Sequence, residues 1–111
     1  MVAVSTISVS VELVFANYTN ANFIPAMTLS VSEGTKAFEI LEMASQQNPC
    51  YRFQFQTFSI GRFITRICCL EQDPSADFYW LLYKNGQLSH LGVDVLTPAN
   101  GDTITFKYQN V

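Results

Sequence analysis

The chain has 111 residues and a net charge of −3, with 49% apolar residues and only 14% charged ones. An average domain has roughly 25% charged residues, so Ser, Thr, Asn and Gln must cover much of this surface, as is common in secreted β-rich modules. The six Lys and Arg form no cluster, which argues against a nucleic-acid groove, and no apolar run approaches the ~20 residues of a membrane span. We expect one domain over residues 1–111.

Two strands are predicted at the N-terminus. Apolar and polar residues alternate from Ile7 to Phe15, which is typical of a strand with one buried face. A polar loop over residues 17–22 leads to a second strand, residues 24–31, which we expect to pair with the first. Asn17-Tyr18-Thr19 is a glycosylation sequon.

A helix follows, since apolar residues recur with helical spacing through about Gln47. Thr35 is a suitable N-cap. Asn48 ends the helix, because the residue before a proline disfavours helical geometry.

Residues 51–58 and 62–70 are predicted to form a hairpin around residues 59–61, with Gly61 in the left-handed conformation. The register that separates apolar from polar residues places Thr57 opposite Phe63 and Phe53 opposite Ile67. In that register Phe63, like Ile67, faces the core.

Three cysteines, Cys50, Cys68 and Cys69, have no metal-binding spacing. They form either one disulfide and one buried thiol, in an oxidising compartment, or three reduced thiols. The hairpin register makes Cys50–Cys68 the disulfide and turns Cys69 into the core. A shift of one residue would favour Cys50–Cys69 instead.

The C-terminal part contains more strands. Residues 78–83 lead into the turn signal Asn85-Gly86. A short strand over residues 92–96, a turn over 98–102 and a closing strand over 103–108 follow. One helix across a mostly antiparallel sheet predicts a β-grasp-like α+β fold.

No group of residues predicts catalysis, and we expect the protein not to be an enzyme. His90 has no partner Ser or Cys in a recognised motif, and the Asp residues lie in or beside turns, where they usually bond their own backbone. Trp80 is either a core residue or part of a binding site. Because one helix cannot cover both faces of a sheet, the apolar residues of strand 78–83 predict that a partner or ligand covers the second face.

The order of these pieces resembles the C-terminal β-domain of the cobalamin transporters: intrinsic factor, transcobalamin and haptocorrin. The matching pieces include Ser32-Glu33-Gly34-Thr35 before the helix, Gln47-Asn48-Pro49 after it, Tyr79-Trp80-Leu81-Leu82 and Gly92-Val93-Asp94. The resemblance covers nearly the full chain. The helical-barrel domain that completes the site in that family has no counterpart in these residues.

The resemblance implies a secreted, non-enzymatic module that binds a small hydrophobic or corrinoid-like ligand, with cobalamin as one possible ligand. By analogy, the ligand contacts would come from two loops, with these residues: Phe58, Ser59, Ile60, Trp80, Tyr83, Leu88, His90, Gly92 and Val93. A lone β-domain should bind cobalamin weakly, because affinity comes from enclosing the ligand. The partner would be this ligand, a helical-domain chain or a second copy.

An alternative function is protein interaction or self-association, in which the exposed aromatic sheet face pairs with another chain.

Overall fold

Two sheets and one α-helix make up the described residues, 5–15 and 24–111, of the computed structural model. The larger sheet contains β1 (Thr6–Phe15), β2 (Met27–Ser32), β6 (Phe78–Lys84), β7 (Gln87–Leu88) and β8 (Thr103–Asn110). The smaller one contains β3 (Phe53–Phe58), β4 (Gly61–Ile67) and β5 (Leu70–Glu71). Helix α1 spans Ala37–Gln47. Asn17 lies outside the described residues.

The larger sheet has the strand order β2-β1-β8-β6-β7. Strands β1 and β2 pair with each other, as predicted, and they run antiparallel with Ile7 opposite Val31. Strand β8 runs parallel to β1 and antiparallel to β6. The α+β class is confirmed, but the hairpin of β3 and β4 belongs to a separate sheet.

The core lies between one face of the larger sheet and a layer formed by α1 and the smaller sheet. The alternation of β1 and β8 is as predicted, and their inward side chains are buried. These are Ile7, Val9, Val11, Leu13, Phe15, Ile104, Phe106 and Tyr108. From the opposite layer, α1 contributes Phe38, Ile40 and Leu41, and burying such side chains contributes about 1.5–3 kcal/mol each. No helix in the described part of the chain is long and apolar enough to cross a membrane.

Helix α1 begins one residue later than an N-cap at Thr35 would require. Lys36 occupies the cap position, while the Thr35 hydroxyl donates to the Ser32 carbonyl at 2.6 Å. The helix ends at Asn48 before Pro49, as predicted, and the Asn48 amide oxygen accepts a hydrogen bond from the Cys50 N–H at 2.9 Å.

The predicted strand over residues 92–96 is wrong, because this segment forms a helical turn instead. The Leu96 N–H donates to the Gly92 carbonyl at 2.9 Å. The carbonyls of Val93 and Leu96 accept from the Phe38 and Ala37 N–H groups, each at 3.0 Å. The first N–H groups of a helix have no partner within it, so this turn completes the start of α1 rather than extending a sheet.

Candidate ligand-binding surface

A β-bulge in the β3–β4 hairpin decides which side chains face outward. Phe53 pairs with Ile67, as predicted, but beyond the bulge Phe55 pairs with Ile64. Ile64 and Thr65 are therefore both buried, and Phe63 turns outward. A bulge adds one unpaired residue to a strand and reverses the faces of the residues beyond it, so the predicted inward orientation of Phe63 is wrong.

The tip of this hairpin is an exposed aromatic corner. A two-residue link, Ser59-Ile60, joins the strands, because Phe58 pairs directly with Gly61. The rings of Phe58 and Phe63 meet edge to face at 5.3 Å, and Ile60 is 83% exposed. Gly61 adopts a φ of +133°, a conformation that side chains other than glycine rarely take.

Behind the tip lies a cavity of about 470 Å³, which we call the hairpin cavity. All of its lining side chains are uncharged. They are Gln56, Phe58, Ser59, Ile60, Phe63, Thr65, Gln72 and Tyr79. A shallow, more polar groove of about 620 Å³ continues from it along β3 and shares Gln56, Thr65 and Gln72 with it.

A second cavity, of about 260 Å³, lies between β4, β6 and the segment 88–93, and we call it the loop cavity. Its wall includes Phe63, which also lines the hairpin cavity, so the two cavities are adjacent and share this side chain. Five of the predicted site residues line it: Trp80, Leu88, His90, Gly92 and Val93. Three others, Phe58, Ser59 and Ile60, line the hairpin cavity.

Tyr83 is the predicted site residue that lines neither cavity. It lies on the outer face of the larger sheet, where its hydroxyl donates to the Gln109 side chain at 2.6 Å. The Lys107 ammonium lies 5.3 Å from its ring centroid. The expected aromatic face of strand 78–83 is thus partly covered by neighbouring strands, since Tyr79, Leu81 and Tyr83 are all half-buried.

Trp80 is mainly a core residue that also reaches the loop cavity. It is 7% exposed, and its ring packs edge to face against Phe15 at 5.4 Å. Its indole N–H donates to the Leu70 carbonyl at 2.9 Å, which ties β6 to the smaller sheet. Its emission should therefore report on the cavity wall, although its side chain is largely enclosed.

His90 is exposed and sits on a loop that is ordered by Ser89. The Ser89 hydroxyl donates to the Leu91 carbonyl at 2.8 Å and accepts from the Leu91 N–H at 3.0 Å. The serine is thus engaged by the backbone rather than by His90. Within the described residues, no group of three or more His, Cys, Asp or Glu side chains is arranged to hold a metal ion.

The cysteines differ from the expected arrangement. All three are free thiols, so the structure lacks the expected Cys50–Cys68 disulfide, and Cys69 is exposed rather than in the core. Strand β4 ends at Ile67, and Cys68, with a φ of 61°, begins the turn that leads to β5 at Leu70. Cys69 therefore lies in this turn and not on an inward-facing strand position. Burial raises the pKa of the Cys68 thiol, with a smaller contribution from Cys69 and Cys50 nearby.

The charged side chain in the wall of the loop cavity is Arg62, which forms an ion pair with Asp94. The Arg62 hydrogen bonds hold the pKa of the Asp94 carboxyl below its ordinary value. Asp94 thus bonds a residue 32 positions away rather than only its own turn, as Asp in turns usually does.

Sequence reasoning missed Phe63, Tyr79 and Gln72 as lining residues. The sequence pattern predicts a core position for Phe63, because a bulge leaves no clear mark in the apolar pattern. Tyr79, on β6, and Gln72, directly after β5, meet the hairpin only in three dimensions.

A family model described as a domain of unknown function, DUF4430, matches residues 34–110. The chain belongs to this family. The matched range contains both cavities of the DUF4430 chain and every residue that lines them. Among curated proteins, no sequence matches the chain.

Two solved structures are similar to the DUF4430 chain. Haptocorrin in complex with Cbi superposes with a TM-score of 0.85 at 22% identity, covering 99% of this chain and 26% of that one. A candidate metal binding protein from Ruminococcus gnavus ATCC 29149 superposes with a TM-score of 0.71 at 16% identity, covering 95% of this chain and 98% of that one. The haptocorrin match confirms, at the level of the fold, the resemblance to the cobalamin-transporter β-domain. The chain spans about a quarter of haptocorrin.

Proposed function

We propose that this chain is a non-enzymatic binding module that holds a small hydrophobic or corrinoid-like ligand at the adjacent hairpin and loop cavities. The observation that carries the proposal is the position of Phe63. It is 45% exposed and forms part of the wall of both cavities. Binding sites for small molecules are typically concave and mostly apolar, with a few polar groups that orient the ligand.

The lining side chains favour a neutral ligand bound by shape. The hairpin cavity has the amides of Gln56 and Gln72 and the hydroxyl of Thr65 as its main polar groups. The one cation of the loop cavity, Arg62, is paired with Asp94. Amides and hydroxyls both donate and accept hydrogen bonds, so they suit a ligand that carries amide or hydroxyl groups on an apolar body.

The likeness to haptocorrin supports a corrinoid as the ligand class, since that protein was solved with Cbi bound. The chain matches about a quarter of haptocorrin. Both cavities here are open to solvent. We therefore propose that the module binds a corrinoid weakly and that a second chain, such as a helical domain, encloses the ligand in the functional complex.

The experiment is a titration of the purified protein with cobalamin and with Cbi, following the emission of Trp80 and correcting for ligand absorbance with free tryptophan. Saturable quenching is expected for the natural protein. It should be lost or strongly weakened in Phe63→Ala and retained in the matched control Tyr83→Ala, which alters an aromatic residue outside both cavities. A flat titration at millimolar ligand would rule out the corrinoid, and equal quenching in both variants would rule out the site.

A second candidate function, self-association, is favoured by the exposed aromatic corner. Phe58 is 51% exposed and lies beside Phe63 and Ile60. An apolar corner of this kind also suits a protein partner. Sedimentation at increasing protein concentration separates the two functions. A rise in mass that Ile60→Ser abolishes would support self-association, and a constant monomer mass would leave the ligand carrier.

Three further properties belong to this proposal. The strand order with a central parallel pair and one helix across the sheet supports a β-grasp arrangement. The sequence pattern supports a single domain over residues 1–111.

The low content of charged residues and the sequon at Asn17 support secretion and glycosylation. Expression through a secretory pathway with and without Asn17→Gln tests the last point, since only the natural chain should lose mass on glycosidase treatment.

A further inference from the structure

One carboxylate ties the hairpin tip to the segment that follows His90. Asp94 accepts three hydrogen bonds from Arg62: from the backbone N–H at 2.8 Å, from Nε at 2.9 Å and from Nη2. Both side-chain bonds go to Oδ1 and the backbone bond goes to Oδ2, so each carboxylate oxygen holds a different part of Arg62. Hydrogen bonds between charged groups are shorter and stronger than neutral ones. The added backbone bond fixes the main chain of β4 as well as the side chain.

The same arginine is held from its other side by the helix. Its guanidinium carbon lies 3.5 Å from the ring centroid of Phe38, in the first turn of α1. A guanidinium over an aromatic face is attracted by the ring. The Phe38 N–H in turn donates to the Val93 carbonyl, next to Asp94. The hairpin, the helix start and the turn at residues 92–96 thus form a closed loop of contacts.

The backbone at position 61 lies beside the same carboxylate. A Cβ atom built there would lie 3.5 Å from Asp94 Oδ2, which is an ordinary van der Waals distance. The tip therefore packs directly against the carboxylate, one residue before Arg62 and two before Phe63.

We propose that Arg62 and Asp94 are positioning residues that hold the hairpin tip against the segment 89–95, and thereby set the width of the loop cavity and the place of Phe63 in it. This inference rests on the proposed function for its purpose. Arg62 and Val93 both line the loop cavity, so a shift of the tip relative to the turn changes the space between them. Neither Arg62 nor Asp94 needs to touch the ligand.

A merely structural ion pair would behave differently. The side chains of Arg62 and Asp94 are 36% and 28% exposed, and partly exposed ion pairs contribute little to global stability. Removing a purely structural ion pair would therefore change amide hydrogen exchange little in any part of the chain. Loss of a positioning pair should free two particular segments while the rest of the molecule stays unchanged, because local opening does not require global unfolding.

The test is amide hydrogen exchange in Asp94→Asn and Arg62→Lys. The first variant loses the negative charge. The second keeps the positive charge but lacks the planar fork. Asp77→Asn is the matched control, since Asp77 is exposed and has no side-chain bond or ion pair. We expect exchange at residues 58–63 and 89–95 to rise about tenfold or more in both clamp variants, with β1 unchanged and the control unaffected.

Unchanged exchange in both segments, or a uniform rise throughout the chain, overturns the positioning role. Corrinoid affinity measured on the same samples by equilibrium dialysis separates the two proposals. If the natural protein binds no cobalamin while the two segments still open together, the ligand class fails and the positioning role stands. If the natural protein binds cobalamin and Asp94→Asn binds it equally well with unchanged exchange, only the positioning role fails.

Discussion

Adjacent residues Phe63 and Ile64 give the sharpest test of the bulge. The structure predicts that Ile64→Ala is strongly destabilising and that Phe63→Ala is only mildly so, because the bulge buries Ile64 and turns Phe63 outward. A regular hairpin without the bulge predicts the reverse order. The two substitutions shorten apolar side chains at neighbouring positions, so each is the control for the other.

The magnitudes follow from exposure. Ile64 is 6% exposed, and truncating a buried isoleucine to alanine costs about 2–5 kcal/mol. Phe63 is 45% exposed, so about half of the 1.5–3 kcal/mol that full burial contributes is at stake, or about 1 kcal/mol. At roughly 4 °C per kcal/mol for a chain of this size, Ile64→Ala should lower Tm by about 12 °C and Phe63→Ala by about 4 °C.

Thermal unfolding followed by circular dichroism, repeated by urea titration, measures both values. The accompanying ligand titration should show that binding is lost in Phe63→Ala, although this variant has the smaller loss of stability of the two, because Phe63 forms part of the wall of both cavities. A larger loss of stability for Phe63→Ala than for Ile64→Ala would refute the bulge and with it the shared wall of the two cavities.

Three other predictions concern the core and the charges. Tyr51→Phe should cost about 1–3 kcal/mol in urea unfolding, because it removes the buried hydroxyl that donates to the Pro25 carbonyl at 2.7 Å and to the Val11 carbonyl at 3.3 Å; no loss would contradict these bonds. Trp80→Phe should destabilise the fold at least as much as Tyr51→Phe, since it removes the bond to the Leu70 carbonyl as well as ring volume. Equal urea midpoints for Trp80→Phe and the natural protein would refute this. The pKa of Asp94 is lowered on folding, chiefly by the Arg62 hydrogen bonds. The contribution of Asp94 to stability is therefore present above its unfolded pKa of about 3.9 and is lost as pH falls through the lowered value. Asp94→Asn should lose less stability than the natural protein when both are titrated with acid. The same dependence of unfolding free energy on pH in both proteins would contradict the pairing.

One more prediction concerns the loss of folding stability at alkaline pH. Burial, followed by the charge of Glu12, raises the pKa of Tyr51 to about 12. A raised pKa on folding means that stability is intact below the ordinary value of about 10 and falls as pH rises through the folded value. Tyr51→Phe should flatten the loss of stability between those pH values in urea titrations. A loss of the same steepness in that variant would assign the alkaline transition to other groups.

Regular elements of the fold could be predicted because local pattern and tertiary environment agree. Strands β1 and β8 alternate cleanly, and each buries one face in the structure. The end of α1 at Asn48 and the Asn85-Gly86 turn depend on local backbone chemistry, and both are where the sequence indicated.

Irregular elements could not be predicted, because distant partners decide them. The segment 92–96 has strand-like composition, but the unpaired N–H groups of α1 bind its carbonyls. The bulge at Thr65 reverses the faces of four residues and moves Phe63 from the core to the surface. The left-handed Cys68 breaks β4 before Cys69 reaches the core.

The sequence therefore predicted most of the individual site residues, but not how the fold brings them together. Eight of the nine proposed residues line one of the two cavities, while Tyr83 lies on the outer sheet face. The two cavities share a wall only through Phe63, and the bulge sets the orientation of that side chain. The Arg62–Asp94 pair joins positions 32 residues apart, a separation that no local pattern encodes.

The most direct test of the central claim is chemical-shift mapping of the isotope-labelled protein with increasing cobalamin. If the hairpin and loop cavities hold the ligand together, amides of Phe58, Phe63, His90 and Val93 should shift in a saturable way and share one dissociation constant. Amides of β1 and β2, on the far side of the sheet order, should stay in place. Shifts confined to other surfaces, or none at millimolar ligand, would contradict the claim.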